Sequence, residues 1–236
     1  VHFDAILAND NDAFEFLRKY RDELFPGVPV VFSAINDFEV SMLDGRIDVT
    51  GLSENTDYVN TIKLALAIRP AVKNIVVVTD NTTTGRAHHS AVHKIEPLFS
   101  GKVYFQYLSV GDYTFEEVGR KLGALTSDSV VLLLHHFMDK TNATQSVQEG
   151  TRFLTSLCPV PSFALIDFRV ENGALGGSVV YGSIYGKTAA KMVLDILHGV
   201  DIRNIPVTLG PNQYMLDYNA MLRFHVSERD LPEGSI

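Results

Sequence analysis

The sequence predicts an α/β protein with two lobes, each built on a parallel sheet flanked by helices. Apolar runs stop at small polar clusters and give way to helical patterns at four places, residues 3–9, 74–80, 129–134 and 162–166. Strands of a parallel sheet are buried on both faces, so they appear as unbroken Val, Ile and Leu. Ligands of such sheets bind beyond the carboxyl ends of the strands. We therefore expect the functional residues at these four breaks.

Composition limits the class of protein. With 236 residues, of which 46% are hydrophobic, and a mean hydropathy of +0.08, the chain can bury one large core or two modest ones. The 28 acidic and 20 basic residues give a formal net charge of −8. No basic surface is then available to neutralise phosphates, and this argues against a nucleic-acid partner. The single cysteine, Cys158, excludes an intrachain disulfide.

The first part of the chain predicts a βαβαβ order. A strand over residues 3–8 leads to Asp12 as the expected N-cap of a helix, whose apolar positions include Phe14 and Leu17 at helical spacing. Buried strands follow at residues 28–35 and 49–53.

A regular alternation of strands and helices follows. Thr56 is the expected cap of the next helix. The predicted strands cover residues 74–79, 103–108, 130–134 and 163–166, and the predicted helices cover residues 87–98, 115–125 and 146–157. Such alternation indicates βαβ units with right-handed crossovers, and therefore a second parallel sheet.

The pattern changes after residue 167. Glycines cluster at Gly173, Gly176, Gly177 and Gly182, which predicts a crossing strand that must bend. A helix over 184–197, short strands over 205–209 and 214–216, and a last helix over 218–224 complete the chain. No flexible linker separates two halves, so we expect the lobes to be joined by several short crossings.

Motifs along nearly the whole chain resemble a known family. They are residues 47–53 (IDVTGLS), 74–80 (NIVVVTD), 161–165 (PSFAL), 173–177 (GALGG) and 185–190 (YGKTAA). In order and spacing they resemble the ABC-type substrate-binding proteins, two-lobed periplasmic proteins of the type 1-like class. The resemblance implies a ligand cleft between the lobes.

A subset of that family is more similar still. The shared segments are residues 10–17 (DNDAFEFL), 21–32 (RDELFPGVPVVF), 82–85 (TTTG), 128–134 (DSVVLLL) and 231–236 (LPEGSI). They resemble the extracytoplasmic sensor domains of bacterial sensor histidine kinases. Relatives usually carry a further βα portion before the position of Phe3, and by this resemblance that portion is missing here.

The resemblance carries further expectations. Lobe 1 would comprise residues 1–54 and 173–203, and lobe 2 residues 55–172 and 204–236. The chain would bind a small polar or amino-acid-like solute without a cofactor or a metal, as a bacterial periplasmic or extracytoplasmic domain, membrane-tethered in the full-length protein. Its partner would be a membrane-linked signalling module or an ABC permease. The resemblance leaves open whether the chain also forms a homodimer.

One group of candidate ligand contacts lies between a buried strand and a helix. Asp80, Thr82, Thr83 and Thr84 place hydroxyls and free backbone N–H groups at the positive end of a helix dipole, which favours a carboxylate or another anion. The spacing is not that of a P-loop, because no Gly-Lys pair follows. A helix cap with solvated threonines is the alternative.

The other candidates follow neighbouring strands. Asp10, Asn11 and Asn36 offer groups for hydroxyls or an ammonium, although turn formation alone also explains them. An aromatic and titratable group is predicted for the facing lobe, consisting of His135, Phe137, Asp167 and Phe168, with Tyr181 as a further contact. His135 and the adjacent His136 should point to opposite sides of an extended segment, so at most one faces the ligand.

Other functions find less support in the sequence. His89 and His93 share a helix face, but the Glu of a His-Glu-x-x-His zinc motif is absent, so we expect a solvated surface. No Gly-x-Ser-x-Gly elbow is present, and we expect a binding domain rather than an enzyme. The main alternative to a sensor is the solute receptor of an ABC transporter. A sugar-responsive repressor would need a basic helix-turn-helix at the start of the chain, and the sequence contains none there.

Overall fold

The structure is a computed structural model that describes residues 2–236. In chain order its helices and strands are β1 (Ile6–Asn9), α1 (Asp10–Leu24), β2 (Val30–Ile35), β3 (Val49–Ser53), α2 (Tyr58–Ile68), β4 (Asn74–Thr79), α3 (Thr83–Ile95), β5 (Tyr104–Ser109), α4 (Phe115–Gly123), β6 (Ser129–Leu133), α5 (Val147–Leu157), β7 (Ser162–Ala164), α6 (Asp167–Val170), β8 (Gly176–Val180), α7 (Gly182–Leu197), β9 (Thr208–Leu209), β10 (Asn212–Leu216) and α8 (Tyr218–Arg223). The alternation confirms the predicted α/β class.

The chain divides into two compact units. Unit 1 contains the residues up to Thr56 together with Val180–Asn212, and unit 2 contains Asp57–Val179 and Gln213–Ile236. The units differ from the predicted lobe boundaries at residues 55–56, 173–179 and 204–212. The two longer segments have identifiable pairings. The first segment lies in unit 2 because Gly176 of β8 pairs with Phe163 of β7. The second lies in unit 1 because β9 pairs with β3.

Unit 1 is a parallel sheet with apolar layers on both faces. Within the described residues its strand order is β1-β2-β3-β9. Successive side chains of a strand point to opposite faces. Accordingly Phe32 packs with Phe14 of α1, whereas the adjacent Val31 packs with Ala189 and Met192 of α7. Burial on both faces explains why β2 has no exposed polar side.

Unit 2 repeats this arrangement in a larger sheet. Its strand order in the described part of the chain is β10-β8-β7-β6-β4-β5, and β4 pairs in parallel with both β5 and β6. Ile75 and Val77 of β4 belong to one core cluster, and Val76 and Val78 belong to the cluster on the opposite face. The carboxyl ends of β4, β6 and β7 therefore lie along one edge of the sheet.

Two predicted helix caps are wrong. Asp12 lies inside α1, because the chain turns immediately after β1 and Asn9 is the N-cap. Thr56 precedes the cap of α2, which is Asp57, and the Asp57 side chain accepts a hydrogen bond from the backbone N of Asn60 at 3.1 Å. Asp is a preferred N-cap residue, and the positive end of the helix dipole also stabilises its negative charge.

The glycine cluster has a packing role. A Cβ built on Gly177 in β8 would lie 1.9 Å from the carbonyl oxygen of Ala164 in β7, so only glycine permits this approach of the two backbones. The same unit holds the only cysteine of the chain, Cys158, buried at the end of α5. Within residues 2–236, no helix combines the length and the apolar character needed to cross a membrane.

Candidate functional site

Asp80 is a buried carboxylate at the carboxyl edge of the unit 2 sheet, and both of its oxygens accept hydrogen bonds. It directly follows β4 and is 2% exposed. Its Oδ1 accepts hydrogen bonds from the backbone N of Thr82 at 3.1 Å and from the Thr82 hydroxyl at 2.6 Å. Its Oδ2 accepts from the backbone N of Phe137 at 2.7 Å and of Met138 at 3.3 Å. Asp80 thus fixes the loop after β4 to the segment after β6.

The threonines that follow Asp80 have different environments. Thr82 is the N-cap of α3, and its hydroxyl accepts from the backbone N of Gly85 at 3.1 Å. Thr83 and Thr84 occupy the first turn of α3 and are exposed. A Cβ on Gly85 would lie 2.2 Å from Asp80 Oδ1, so glycine is needed beside the buried carboxylate. The predicted ligand contacts at Asp80 and Thr82 are therefore also structural groups, as the alternative interpretation held.

His135 and His136 occupy opposite environments, as expected for adjacent residues of an extended segment. His135 keeps 27% of its side chain exposed, and its Nε2 lies 3.9 Å from Asp80 Oδ2. Burial lowers the pKa of His135, the Asp80 charge opposes this effect, and Arg169 adds to it. His136 is 2% exposed. Of the two, only His135 is accessible for a solute.

Aromatic rings extend the site away from Asp80. The rings of His135 and His88 are nearly parallel, with centroids 6.5 Å apart, and His135 also lies 6.4 Å from the ring of Phe137. His88 Nδ1 and the Tyr58 hydroxyl are 2.6 Å apart. Phe137 is 43% exposed. His88 and Tyr58 were not among the predicted contacts, because their positions in α3 and α2 give no local sign that these helices bring them together beside His135.

Asp167 and Phe168 lie at the same edge, after β7. Asp167 opens the short helix α6, and its Oδ1 accepts from the backbone N of Phe168 at 2.7 Å. Both side chains are partly buried. The next residue, Arg169, is buried and was not among the predicted contacts. A basic residue after a strand end was its only signal in the sequence.

In unit 1, Asn11 and Asn36 join two neighbouring strand ends. Asn11 Oδ1 accepts from the backbone N of Asn36 at 2.9 Å and from Asn36 Nδ2 at 3.3 Å. Asn11 Nδ2 donates to the Asn36 carbonyl oxygen at 3.4 Å. The structure thus brings these two predicted residues together, and their mutual bonds give them a turn-forming role as well.

Acidic side chains surround this junction. Asp10 has a φ of +72° at the strand-to-helix turn, and its Oδ1 accepts from the backbone N of Asn11 at 2.7 Å. Burial raises the pKa of Glu54, which follows β3, while a hydrogen bond from Thr56 lowers it and the charges of Asp10 and Asp37 raise it further. Glu54 was not among the predicted contacts, although it follows the third strand as Asp10 follows the first.

Tyr181 is the remaining predicted contact. It is the N-cap residue of α7 in unit 1 and is partly buried. Tyr185, one turn later, is fully enclosed, and its hydroxyl accepts from the backbone N of Asn55 at 3.1 Å. In the described residues, no group of three or more His, Cys, Asp or Glu side chains is arranged to hold a metal ion.

Several solved structures that share this fold are solute-binding proteins. An ABC domain in complex with L-Trp from Streptococcus pneumoniae is 18% identical, with a TM-score of 0.64 over 99% of this chain and 79% of that chain. A substrate-binding protein with adhesive properties from Clostridium difficile, in a ligand-free open structure, is 16% identical, with a TM-score of 0.69 over 99% and 78%. An ABC transporter solute-binding protein from Bacillus halodurans with bound myo-inositol is 13% identical, with a TM-score of 0.52 over 94% and 77%.

Sequence comparison adds no relative to these structures. No protein-family model matches the chain, and no curated protein matches it. At identities below one fifth, the structural likeness establishes the fold: two sheets of mostly parallel strands flanked by helices, as in two-lobed periplasmic-binding-protein-like proteins.

Proposed function

We propose that this chain is a solute-binding domain in which polar strand ends of both units contact one small polar or amino-acid-like ligand, and that it closes on this ligand. The observation that carries the proposal is the carboxyl edge of the unit 2 sheet, where a buried Asp80 lies beside the accessible His135 and Phe137. Hydrogen-bonding groups next to an exposed aromatic side chain are typical of small-molecule sites.

The fold supports the same proposal. Proteins of this architecture have been solved with L-Trp and with myo-inositol bound. A ligand that contacts both units binds the closed form better than the open form, and only this difference in affinity can shift the population. In this reading the domain performs no chemistry of its own.

Within this class we propose an extracytoplasmic sensor of a membrane-linked histidine kinase or cyclase. The segments 82–85 and 231–236 support this choice through their resemblance to sensor domains. Closure would then move the 231–236 segment relative to the signalling module. The alternative is the receptor of an ABC transporter, which differs in its partner, a permease, and not in its fold. A membrane span and a kinase or cyclase module in the full-length gene would support the sensor.

Thermal-shift screening of the purified domain tests the binding proposal. The panel contains the L-amino acids, monosaccharides, inositols, purines and dicarboxylates. We expect at least one compound to raise the melting temperature progressively with its concentration, since a ligand that binds only the folded state stabilises it by mass action. A panel in which no compound produces such a shift would contradict the proposed function.

Substitution at the strand ends then tests the site. We expect Asp10→Ala and Asp167→Ala each to weaken binding of the identified solute about tenfold, the loss of roughly one hydrogen bond to a polar ligand group, measured by calorimetry. Asp195→Ala is the control, because this residue pairs with Lys191 on the surface of α7, far along the helix from its N-terminus. Unchanged affinity in both site variants would show that the assigned residues are wrong.

A further inference from the structure

Arg169 is a buried cation without an acidic partner. It is 4% exposed, and none of the carboxylates in residues 2–236 forms an ion pair with it. Its Nη1 donates to the Thr151 hydroxyl at 3.0 Å and lies 3.1 Å from His136 Nε2. A buried charge is costly unless it is compensated, so the environment of this guanidinium needs an explanation.

Both groups that contact Nη1 are neutral acceptors. His136 Nδ1 donates to the carbonyl oxygen of Leu134 at 2.8 Å, which leaves Nε2 to accept from Arg169. Burial and the Arg169 charge lower the pKa of His136 well below its usual value, so the ring is uncharged at neutral pH. The Thr151 hydroxyl donates to the Val147 carbonyl oxygen at 2.6 Å. These bonds orient the guanidinium without neutralising it.

Asp80 compensates Arg169 only through space. Burial lowers the pKa of Arg169 to about 10, and the Asp80 charge acts in the opposite direction. The two carboxylate oxygens of Asp80 already accept from Thr82, Phe137 and Met138. Arg169 Nε and Nη2 have no hydrogen-bond acceptor in the part of the chain that the structure describes. Together these two nitrogens form a planar fork that matches the two oxygens of a carboxylate.

The position of Arg169 connects this fork to the proposed site. The residue lies in α6, directly after Asp167 and Phe168, at the strand ends that also carry Asp80 and His135. Nearby, the Oε1 atom of Gln145 is buried without a hydrogen-bond partner, and it adjoins Gly150, whose built Cβ would also lie 3.2 Å from His136 Cδ2. This oxygen is an acceptor, so it can receive an N–H or O–H group of a ligand and not its carboxylate.

We propose that Arg169 binds the carboxylate of the solute through Nε and Nη2, so that the ligand is an organic acid, amino acids included. This inference rests on the proposed function and specifies its ligand class. An incoming carboxylate would supply the missing counter-charge in a site of low dielectric, where the interaction is stronger than in water. A neutral sugar or polyol would leave the charge of Arg169 uncompensated.

Matched ligand pairs test the inference. Calorimetry on the full 236-residue domain would measure the affinity of each L-amino acid that shifts the melting temperature, and the affinity of its primary amide. The polyol myo-inositol and the sugar D-glucose serve as neutral probes. We expect the free acid to bind about 30-fold more tightly than the amide, since a charge-assisted paired hydrogen bond is lost. We expect Arg169→Gln to abolish this preference while the affinity for the amide changes less than about threefold.

Two further variants separate binding from folding. Arg223→Gln removes an arginine of the same unit that donates to the carbonyl oxygens of Thr155 and Cys158, and it should keep the preference for the acid. If Arg169→Gln fails to fold by circular dichroism, Arg169→Lys retains the charge without the fork and should reduce the preference to about a third or less.

The outcomes distinguish the two proposals. An equal loss of affinity for acid and amide in Arg169→Gln, or an unchanged preference in Arg169→Lys, would assign Arg169 to the support of His136 and overturn the inference. Binding of a neutral probe in the absence of binding by any acid would overturn it as well, while the proposed function would stand. Binding of none of the compounds would reject both.

Discussion

At the residue scale, Asp80 combines burial with a complete set of hydrogen bonds. Its donors come from two separate segments, the start of α3 and the stretch after β6. The sequence predicted Asp80 as a site residue because it follows an apolar strand. It could not predict the donors, because Phe137 and Met138 contribute backbone N–H groups that carry no side-chain signal.

We expect Asp80→Asn to lower the free energy of unfolding by about 3 kcal/mol, because an amide nitrogen cannot accept and would leave buried N–H groups unpaired. Urea denaturation measures this change. Asp112→Asn is the control, since Asp112 is exposed and, within residues 2–236, its side chain accepts one hydrogen bond, from Asn81 Nδ2 at 2.9 Å. Equal effects in the two variants would mean that Asp80 is not the central acceptor of this edge.

Glu54 gives a prediction with a defined pH dependence. Its pKa is raised in the folded state by burial, so folding favours the protonated form. Wild-type stability is therefore lost as pH rises from the ordinary Glu pKa of 4.5 through the folded value. We expect Glu54→Gln to be more stable than wild type at pH 7 and equal to it below pH 4.5, measured by denaturation at both pH values.

The exposed Glu23 on α1 provides the comparison for this experiment. Glu23→Gln should leave the difference between the two pH values as in wild type. A Glu54→Gln variant that is less stable at pH 7 would show instead that its carboxylate is favourably bonded in the folded protein.

At the element scale, the close contact of β8 with β7 depends on Gly177. We expect Gly177→Ala to destabilise the protein by about 3 kcal/mol, because its Cβ would meet the Ala164 carbonyl oxygen and the strands would have to separate. Gly186→Ala is the matched control. A Cβ at Gly186 in α7 meets nothing within 4 Å, so the better helix former should stabilise by about 0.5–1 kcal/mol. Thermal unfolding of both variants checks the opposite signs.

The elements themselves were largely predictable from the sequence. The apolar runs of β3 and β4 match their observed bounds, since burial on both faces leaves an unbroken pattern. Helix starts were less certain. Asn9, the last residue of β1, is the cap of α1 in place of Asp12, and Asp57 is the cap of α2 in place of Thr56. The early start of α1 depends on Asp10, whose φ of +72° lets the chain turn directly from strand to helix, and local propensity does not encode that turn.

At the scale of the whole molecule, the sequence indicated two sheets but not how the chain is divided between them. The short strand β9 belongs to unit 1 only through its pairing with β3, about 155 residues earlier in the chain. Such long-range pairing leaves no local pattern. The same limit applies to Arg169, whose contacts with His136 and Thr151 join three segments that are remote in sequence.

The proposed contact of one solute with both units can be tested with fluorescence, because the chain contains no tryptophan. Phe16→Trp reports on unit 1 and Tyr104→Trp on unit 2, and both residues are exposed. At a solute concentration of 100 times Kd, we expect both probes to report a stabilisation of about 2.7 kcal/mol in urea. A shift seen by only one probe would mean that the solute contacts a single unit.

Cys158 is a natural probe of local opening in unit 2. Its thiol is enclosed, its Sγ donates to the Val160 carbonyl oxygen at 3.3 Å, and burial raises its pKa. An alkylating reagent such as iodoacetamide therefore reacts only when the end of α5 detaches from the sheet, since the thiolate is the reactive form. With no other sulfhydryl in the chain, the rate at which the mass increases by one adduct measures how often this region opens.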